Sequence, residues 1–448
     1  MTTSRRILYA AIAVMSLGCY METAIGTPIE QSPEANPTLL ERCLSAKATE
    51  ESFSGVISVT HHGRPVAFVS RGVLADSGTA PIDATTRFNL GSTSKMFTAV
   101  AIGQLVDAEK IRWDDPVGKY VSGLTPEASV VTVHQLLTHS SGLGDFFEPQ
   151  NMEAMLKART ASDILPLVAA DKPSFPPGSK FRYSNSGYAL LGILIERVSG
   201  QHYGDYLREH VFLPAGMSDT GLSPEPLATL AVGMTGLRGG PPSIEPPPQI
   251  AGVVHPKAAD AGHAAMDQSG QRILVPSDKS AASPGQLLLI GPDGKRMQMN
   301  PEPGAAGVLQ PGPGATQGYG SPAGGLFSTA ADMQHFADAL LANKLLSAAT
   351  RTSLTSPQIV AFPAAEGKPE RTYGMGFSVG AEAGRKWFGH GGGTAGANVE
   401  FAVFPEDQWT LAVFSNRDPP VATTMLRYLK DLLFKPDALQ ACTTATSH

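Results

Sequence analysis

Hydrophobic and polar residues recur along the chain with helical or strand spacing, and the first hundred residues show both. Residues 37–51 carry leucines and a cysteine at helical spacing, which predicts a first helix. Apolar, β-branched runs at 55–60 and 65–74 flank a polar turn at 61–64 and predict a β-hairpin. A second, strongly apolar helix is predicted to begin near Ser92 and to end near Glu109.

The middle of the chain has a different pattern. Residues 116–222 are mostly helical in spacing, with a short helix at 133–137 that ends before a glycine and a long apolar helix at 187–199. Residues 237–320 are instead rich in proline and glycine, which argues against packed core elements and predicts an insertion. Within it, turn residues at 268–270 and 292–294 predict two hairpins; the insertion is either a loose surface loop or a flap that walls a site.

The last part of the chain predicts a sheet followed by a helix. A helix at 329–346 precedes four strand-like runs with short connections, which favours antiparallel pairing, and a closing helix follows before a C-terminal tail at 435–448. The fold class predicted is mixed α/β (α+β), an antiparallel sheet flanked by N- and C-terminal helices plus a mostly helical subdomain. The strand-like runs and the closing helix are 373–379, 386–389, 397–404, 409–414 and 421–434.

Composition narrows the class of protein. The 448 residues include 34 Lys and Arg against 40 Asp and Glu, a formal charge of −6, without a basic stripe, which argues against nucleic-acid binding. A basic start, a short apolar run at 7–17 and small residues before Thr27 predict a signal peptide over 1–26, and hence a periplasmic or secreted protein. Cys19 raises lipidation as a less favoured alternative, and no stable membrane span is expected after cleavage.

Three short patterns carry the candidate chemistry. Ser92 and Lys95 stand three residues apart at the start of a predicted helix, where they share one face, so the lysine amine can lie beside the serine hydroxyl as its base. Tyr183 and Asn185 form a Tyr-x-Asn pattern just before another predicted helix. His390 ends a predicted strand inside a glycine-rich run. Taken singly, each of the last three has a structural alternative: a core tyrosine, a helix N-cap and a turn histidine.

Other patterns compete with this set. Ser378 lies in a Gly-x-Ser-x-Gly sequence, but a nucleophile elbow needs a strand, a sharp turn and then a helix, and here a second strand follows. His139 is predicted to cap a helix rather than to act as a base. The His61-His62-Gly63 sequence repeats His-x-Gly on a hairpin turn, where it is predicted to be solvated. No His-x-His or His-Glu-x-x-His pattern occurs, so neither a metal nor a cofactor is expected.

Because the patterns at Ser92, Tyr183 and His390 occur in this order, the sequence resembles the serine hydrolases that share the fold of class C β-lactamases, penicillin-binding DD-peptidases and related esterases. That family carries Ser-x-x-Lys, then Tyr-x-Asn, then Lys or His-x-Gly, and the resemblance covers about 39–434 apart from the insertion. It implies a β-lactamase/transpeptidase-like fold over residues 37–434. The flanks that look familial are 136–143, 181–188 and 322–326.

The resemblance also implies roles for the matching residues. Ser92 is the nucleophile, Lys95 its base and Tyr183 the group that passes the proton to the leaving group. Asn185 and His390 bind the substrate, and His390 reaches either the phenol or an acidic group of the substrate. Gly392 completes the His-x-Gly pattern that begins at His390. The main-chain N–H groups of Ser92 and of the next residue, Gly393, form the oxyanion site. In this fold the terminal helices lie side by side, so Cys43 and Cys442 either form a disulfide or are separate thiols.

The function predicted is hydrolysis of an ester or a D-amino-acid-type amide or peptide through an acyl-enzyme on Ser92. A histidine at 390, where strict class C β-lactamases have lysine, makes a β-lactamase the second choice. A catalytically silent, penicillin-binding-like envelope protein and an interaction protein that works through the 237–320 insertion are further alternatives. Small-molecule substrates are expected, and the sequence leaves the oligomeric state open.

Overall fold

The computed structural model describes most of the chain from Thr38 onward. The predicted signal peptide, Cys19 and most of the insertion lie outside the described residues. The described ranges are 38–75, 80–225, 227–235, 320–364, 370–435 and 437–445, together with five short strands between 264 and 311.

Helices make up the two ends of the domain and the region between the first hairpin and the insertion. They are α1 (Leu39–Glu50), α2 (Lys95–Asp107), α3 (Pro126–Ser129), α4 (Val133–Leu137), α5 (Met152–Lys157), α6 (Leu165–Val168), α7 (Asn185–Ser199), α8 (Tyr203–Leu207), α9 (Leu213–Ala215), α10 (Ala330–Leu341), α11 (Ala348–Thr355), α12 (Val421–Phe434) and α13 (Ala438–Ala445). The predicted helical subdomain at 116–222 is therefore built largely of short helices around the long α7.

The strands form one large sheet and three small ones. They are β1 (Gly55–His61), β2 (Arg64–Arg71), β3 (Phe88–Asn89), β4 (Met234–Thr235), β5 (Ala264–Met266), β6 (Arg272–Leu274), β7 (Leu287–Ile290), β8 (Arg296–Met299), β9 (Gln310–Pro311), β10 (Phe327–Ser328), β11 (Ile359–Phe362), β12 (Arg371–Tyr373), β13 (Ser378–Glu382), β14 (Arg385–Thr394), β15 (Ala397–Phe404) and β16 (Trp409–Ser415).

The large sheet has eight strands in the order β11-β12-β13-β14-β15-β16-β1-β2, and every neighbouring pair is antiparallel. The first hairpin thus joins the C-terminal strands through β1 and β16, in register from Gly55 opposite Ser415 to His61 opposite Trp409. The predicted antiparallel sheet and the mixed α/β fold class are confirmed.

Both faces of this sheet are covered by helices, and the alternation of side chains along a strand shows it. On β15, Val399 and Phe401 belong to the core that α2 and α7 share, whereas Ala402 and Phe404 belong to the core that α1 and α12 share. Every residue of β15 is buried, so the strand is covered on both faces, and its two polar residues, Asn398 and Glu400, are hydrogen-bonded to α12. Burying one large apolar side chain stabilises the fold by roughly 1.5–3 kcal/mol.

Four features differ from the sequence prediction. The predicted strand 373–379 is two strands, because Gly374 N–H donates to the Phe377 carbonyl and closes a turn between β12 and β13. The predicted helix 329–346 ends at Leu341 and α11 follows separately. The strand β11 was not predicted, and the region predicted as a tail contains α13.

The insertion contains the two predicted hairpins, and their four strands pair as one sheet. β5 pairs with β6, β7 with β8, and β6 with β7, all antiparallel. The described residues just before the insertion pack beside the turn that joins β14 to β15, because a Cβ on Gly396 would lie only 2.5 Å from the Gly233 carbonyl carbon.

A disulfide joins the two ends of the domain. Cys43 on α1 and Cys442 on α13 are bonded, with Cα atoms 6.0 Å apart and 399 residues between them in sequence. Of the two alternatives that the sequence left open, the disulfide is correct.

Removing this disulfide is expected to lower stability without changing catalysis. Cross-linking such distant residues restricts the unfolded chain, so replacing both cysteines by serine should reduce the free energy of unfolding by about 2–4 kcal/mol. Chemical denaturation of the two forms measures the difference. Cys43 and Cys442 belong to the core cluster of α1 and α12, so kcat should stay the same. The assignment would be contradicted by a variant that is as stable as the parent. Two free thiols in the denatured, unreduced chain from residue 27 on would contradict it as well.

Candidate active site

Ser92 lies in a 3₁₀ turn between β3 and α2, and this turn packs directly against β14. A Cβ on Gly392 would lie 2.0 Å from the Leu90 carbonyl oxygen, so only glycine lets the strand approach this closely. The Thr93 hydroxyl adds a hydrogen bond to the His390 carbonyl oxygen at 3.3 Å. The fold therefore brings the Ser-x-x-Lys and His-x-Gly segments together across 297 residues of sequence.

Lys95 is the first residue of α2, and its side chain is completely buried. Its Nζ lies 3.4 Å from Ser92 Oγ and 2.7 Å from Asn185 Oδ1, and it also donates to the Ala323 carbonyl oxygen. Burial lowers the pKa of Lys95 to about 7, and the Asp145 carboxylate opposes this shift. The amine is therefore neutral in a large fraction of molecules near pH 7.

The two acceptors around Lys95 fix the direction of its lone pair when the amine is neutral. A neutral amine keeps two N–H donors, and Asn185 Oδ1 and the Ala323 carbonyl take both of them. The remaining position on Nζ faces Ser92 Oγ. In its neutral form Lys95 is thus oriented to accept the serine proton.

Tyr183 stands immediately before α7, beside the same amine. The centre of its ring is 4.7 Å from Lys95 Nζ, within the range of a cation–π contact when the amine is charged. The imidazole of His139 stacks on the same ring, with ring centroids 4.1 Å apart and planes 29° apart. Tyr183 is therefore held between the Lys95 amine and a second aromatic ring.

Asn185 is the first residue of α7, and the alternative that it caps this helix is wrong. The N-cap is Ser184, whose Oγ accepts from Gly187 N–H at 3.0 Å. The Asn185 carboxamide is consequently available to the site: Oδ1 accepts from Lys95, and Nδ2 donates to Asp145 Oδ2 at 2.8 Å. A carboxylate on one side and an amine on the other set the orientation of the amide.

Asp145 and His139 are site residues that the sequence reasoning missed or assigned differently. Asp145 lies in the loop after α4 and joins the site through its hydrogen bond from Asn185 and through its charge, which acts on Lys95. His139 follows α4 with a left-handed backbone, φ 56°, so its main chain does end the helix as predicted. Its side chain, however, is fully buried against Tyr183. His139 lies in the familial flank 136–143, whereas Asp145 lies just outside it and had no sequence signal.

His390 is buried, with 2% of its surface exposed. Its Nε2 lies 3.0 Å from Tyr373 Oη, and its Nδ1–H donates to the Gly391 carbonyl at 2.5 Å. Burial and the nearby Lys95 charge lower the pKa of His390 to about 3, so the ring is neutral. The sequence predicted that His390 would hydrogen-bond either the phenol of Tyr183 or an acidic group of the substrate; in the structure its phenol partner is Tyr373. Because the buried ring is neutral, it offers no positive charge to an acidic group of the substrate.

The competing patterns lie elsewhere. Ser378 begins β13, which continues through a tight turn into β14, so the helix that a nucleophile elbow requires does not follow. His62 and Gly63 form the exposed turn between β1 and β2, where His61 stacks on Trp409 with ring centroids 4.1 Å apart. Neither segment takes part in the Ser92 cluster.

In the part of the chain that the structure describes, no three His, Cys, Asp or Glu side chains are grouped so that they could hold a metal ion. Among the same residues, no helix has the length and apolar character needed to cross a membrane.

The chain is similar in sequence to a beta-lactamase family model and to proteins named penicillin-binding proteins. The family model described as Beta-lactamase matches residues 40–434. Penicillin-binding protein 4* of Bacillus subtilis strain 168 is 31% identical over 205 residues, which are 43% of this chain and 44% of the relative. Penicillin-binding protein 4 of Amycolatopsis lactamdurans is 32% identical over 174 residues, 38% of this chain and 45% of the relative. The chain thus spans somewhat less than half the length of these relatives.

Solved structures show the same fold over nearly the whole chain. A penicillin-binding protein from Bacillus halodurans superposes with a TM-score of 0.64 at 24% identity, covering 87% of this chain and 98% of that one. A D-amino acid amidase from Ochrobactrum anthropi SV3 superposes with a TM-score of 0.59 at 20% identity, covering 92% of this chain and 99% of that one. These likenesses establish the fold, and they agree with the β-lactamase/transpeptidase-like architecture predicted from the sequence.

Proposed function

The chain belongs to the beta-lactamase family, and on that premise we propose that it is a serine hydrolase that forms an acyl-enzyme on Ser92. Its proposed substrates are small-molecule esters or D-amino-acid-type amides and peptides. The proposal depends on the Lys95 amine, which can be neutral near pH 7 and whose Nζ lies 3.4 Å from Ser92 Oγ. The two N–H donors that the neutral amine keeps are bonded to Asn185 Oδ1 and the Ala323 carbonyl oxygen.

In the proposed acylation, Lys95 Nζ takes the proton from Ser92 Oγ while Oγ attacks the substrate carbonyl carbon. The carbonyl oxygen becomes negative, and the main-chain N–H groups of Ser92 and Gly393 stabilise it. The position of Ser92 next to the start of α2 adds the favourable end of the helix dipole.

Collapse of this intermediate breaks the bond to the leaving alcohol or amine, which must receive a proton as it departs. Tyr183 is proposed to relay that proton from Lys95, since its ring lies beside Nζ. A water molecule then attacks the acyl ester on Ser92, with the same groups moving protons in the reverse direction, and releases the acid. One N–H of the Asn185 carboxamide donates to Asp145. The other N–H is proposed to donate a hydrogen bond to the substrate near its reacting carbonyl.

The site favours substrates without an acidic group near the reacting carbonyl. His390 is buried and neutral, so it offers hydrogen-bonding capacity but no positive charge to a carboxylate. This supports an ester or amide substrate over a β-lactam, which carries a carboxylate. The similarity to a D-amino acid amidase adds the D-amide class to the proposal.

Replacing His390 by lysine is expected to change this preference. A lysine at 390 adds a cation to the wall of the site, so the ratio of kcat/KM for a carboxylate-bearing cephalosporin to that for a neutral p-nitrophenyl ester should rise about tenfold, the effect of one close charge pair. Steady-state kinetics on both substrates measure the ratio. His390→Gln is the uncharged control, and an unchanged ratio in the lysine variant would contradict this role for position 390.

The pH profile is expected to report the state of Lys95. Only neutral Lys95 can accept the Ser92 proton, so kcat/KM for a neutral ester should rise with pH, with an apparent pKa near 7, and level off above it. The histidine rings near Lys95 do not produce this limb, because the pKa of His390 is near 3 and burial holds the pKa of His139 well below its usual value. Tyr188, whose ring also faces the amine, does not produce it either, because burial raises its pKa well above the usual value.

Asp145→Asn provides the control for this assignment. The substitution keeps an oxygen acceptor for Asn185 Nδ2 but removes the negative charge that favours protonated Lys95. The rising limb should therefore move to lower pH. A limb that stays in place in Asp145→Asn, or a parent limb centred above pH 9, would contradict the role of Lys95 as base.

We also propose that the chain is exported to the periplasm or secreted, after removal of 1–26. The Cys43–Cys442 disulfide supports this, because disulfides persist mainly in oxidising compartments. Mass measurement of the N-terminus of protein isolated from the periplasm or medium tests it; an unprocessed N-terminus in the cytosolic fraction would contradict it.

A substrate panel tests the proposed function as a whole. It consists of p-nitrophenyl esters, D- and L-amino-acid amides and a chromogenic cephalosporin, each with parent enzyme and Ser92→Ala. The proposal predicts Ser92-dependent turnover of esters or D-amides above that of the cephalosporin. Turnover that survives in Ser92→Ala would overturn it, and labelling of Ser92 without any turnover would favour a penicillin-binding-like binding protein.

A further inference from the structure

His139 makes contacts with three consecutive residues of the segment that carries Tyr183. Its carbonyl oxygen accepts from Arg182 N–H at 2.8 Å, its ring stacks on Tyr183 at 4.1 Å, and its Nδ1 accepts from Ser184 N–H at 3.1 Å. One residue therefore fixes the main chain before Tyr183, the tyrosine ring itself and the main chain after it.

The surroundings of His139 leave its ring little freedom. The ring centroid lies 4.9 Å from that of Tyr188, 5.0 Å from that of Tyr373 and 5.7 Å from that of Phe181, and the residue is fully buried. Tyr188 is itself anchored through its hydroxyl to the Leu137 carbonyl at 2.9 Å. His139 is thus a rigid support rather than a mobile side chain.

Two features of His139 are unfavourable for folding. Its φ of 56° lies in the left-handed region, which suits glycine or asparagine better than histidine. Its Nε2 carries the proton, since Nδ1 accepts from Ser184, and this buried donor has no hydrogen-bond partner within the described part of the chain. The left-handed backbone recurs at other non-glycine turn residues, such as Glu109 and Asn343, so the buried Nε2 without a partner is the cost that sets His139 apart, and costs of this kind are often found at functional positions.

We propose that His139 is a positioning residue: its imidazole stacks against Tyr183 and holds the phenol at Lys95, so that the proton reaches the leaving group. It remains uncharged, because burial and the nearby Lys95 charge hold its pKa well below the usual value, so it supports the phenol without titrating itself. This inference rests on the proposed function, in which Tyr183 protonates the leaving group.

The dependence on the leaving group distinguishes this role from a structural one. An alkyl ester or a D-amino-acid amide needs a proton on its leaving group, whereas p-nitrophenolate departs without one. Misplacing Tyr183 should therefore slow acylation by the first kind of substrate much more than by the second. General damage to the fold would slow both equally.

The variants His139→Asn and His139→Gly suit the left-handed backbone but remove the stacking ring. Each is expected to fold, with a Tm lowered by the loss of a buried ring, and to lower the ratio of kcat/KM for the amide or alkyl ester to kcat/KM for the p-nitrophenyl ester by about 10- to 100-fold. His134→Asn is the matched control, because His134 lies on α4 and contacts Gln358 instead, at 3.3 Å. It should leave the ratio unchanged.

A double-mutant cycle with Tyr183→Phe completes the test. If His139 acts through the phenol, His139→Asn should have almost no further effect on the ratio once that phenol is absent. An unchanged ratio in the single variants, an equal effect in both backgrounds, or a failure of both variants to fold would overturn the positioning role. Absence of Ser92-dependent turnover in the parent enzyme would instead defeat the proposed function, and this inference with it.

Discussion

Replacing Ser92 by alanine is expected to lower kcat/KM for the preferred ester or amide by roughly 10⁴- to 10⁶-fold, because it removes the only atom that forms the acyl bond. The loss should not come from unfolding. The Ser92 hydroxyl makes one hydrogen bond in the described structure, the 3.4 Å contact with Lys95, and the turn that carries it is held by other contacts, such as Ser94 Oγ to the Gly91 carbonyl at 2.8 Å.

The matched control for this experiment is Ser378→Ala. Ser378 lies in the one pattern that competes with Ser92 as a nucleophile, and it sits at the start of β13. Its removal should leave kcat/KM within about twofold of the parent value, as for an ordinary partly exposed position. Equal kinetics for Ser92→Ala and the parent, with a large loss in Ser378→Ala, would reverse the assignment.

The second large effect is expected for Lys95→Arg. Arginine keeps the positive charge and can still donate to Asn185 and to the Ala323 carbonyl, but its pKa is too high for it to accept a proton from serine. Acylation should therefore slow by about 10³- to 10⁴-fold, the size of a general-base contribution. Stopped-flow measurement of the p-nitrophenolate burst gives the acylation rate directly.

Lys119→Arg is the control for Lys95→Arg. Lys119 pairs on the surface with Asp115 at 3.0 Å, and its side chain is 54% exposed, so the same substitution there should be neutral. Lys95→Met adds an uncharged comparison in case the larger arginine disturbs the site. Burst rates close to the parent value in both Lys95 variants would show that another group takes the Ser92 proton.

The elements that were predicted well from the sequence are those whose own residues determine them. The helix after Ser92 and the strands β15 and β16 have long apolar runs with one clear period, and each is present over almost the predicted residues. The Cys43–Cys442 pair was open, because a pairing across 399 residues depends on where both terminal helices lie. The helix α13 was missed, since a proline precedes it in the sequence and its own residues are mostly small, with no clear apolar period.

The candidate site divides in the same way. Ser92, Lys95, Tyr183 and Asn185 lie in short motifs, and the fold groups them as the motifs predict. Asp145 and His139 lack a motif of their own: each acts on a residue about 40 positions away, through a hydrogen bond or a ring contact that no local spacing encodes. His390 lies beside the Ser92 turn, where its carbonyl oxygen accepts from Thr93 Oγ1, but its burial and its neutral ring come from residues distant in sequence, including Lys95, and no local spacing encodes them.

The most direct test of the central claim, acyl transfer on Ser92, is mass spectrometry of the protein after reaction with a fluorophosphonate. The proposal predicts the mass increase of one phosphonyl group per chain, located by peptide mapping on Ser92, present in Ser378→Ala and absent in Ser92→Ala. A label on Ser378, or a folded parent protein that hydrolyses its substrate while Ser92 stays unmodified, would contradict it.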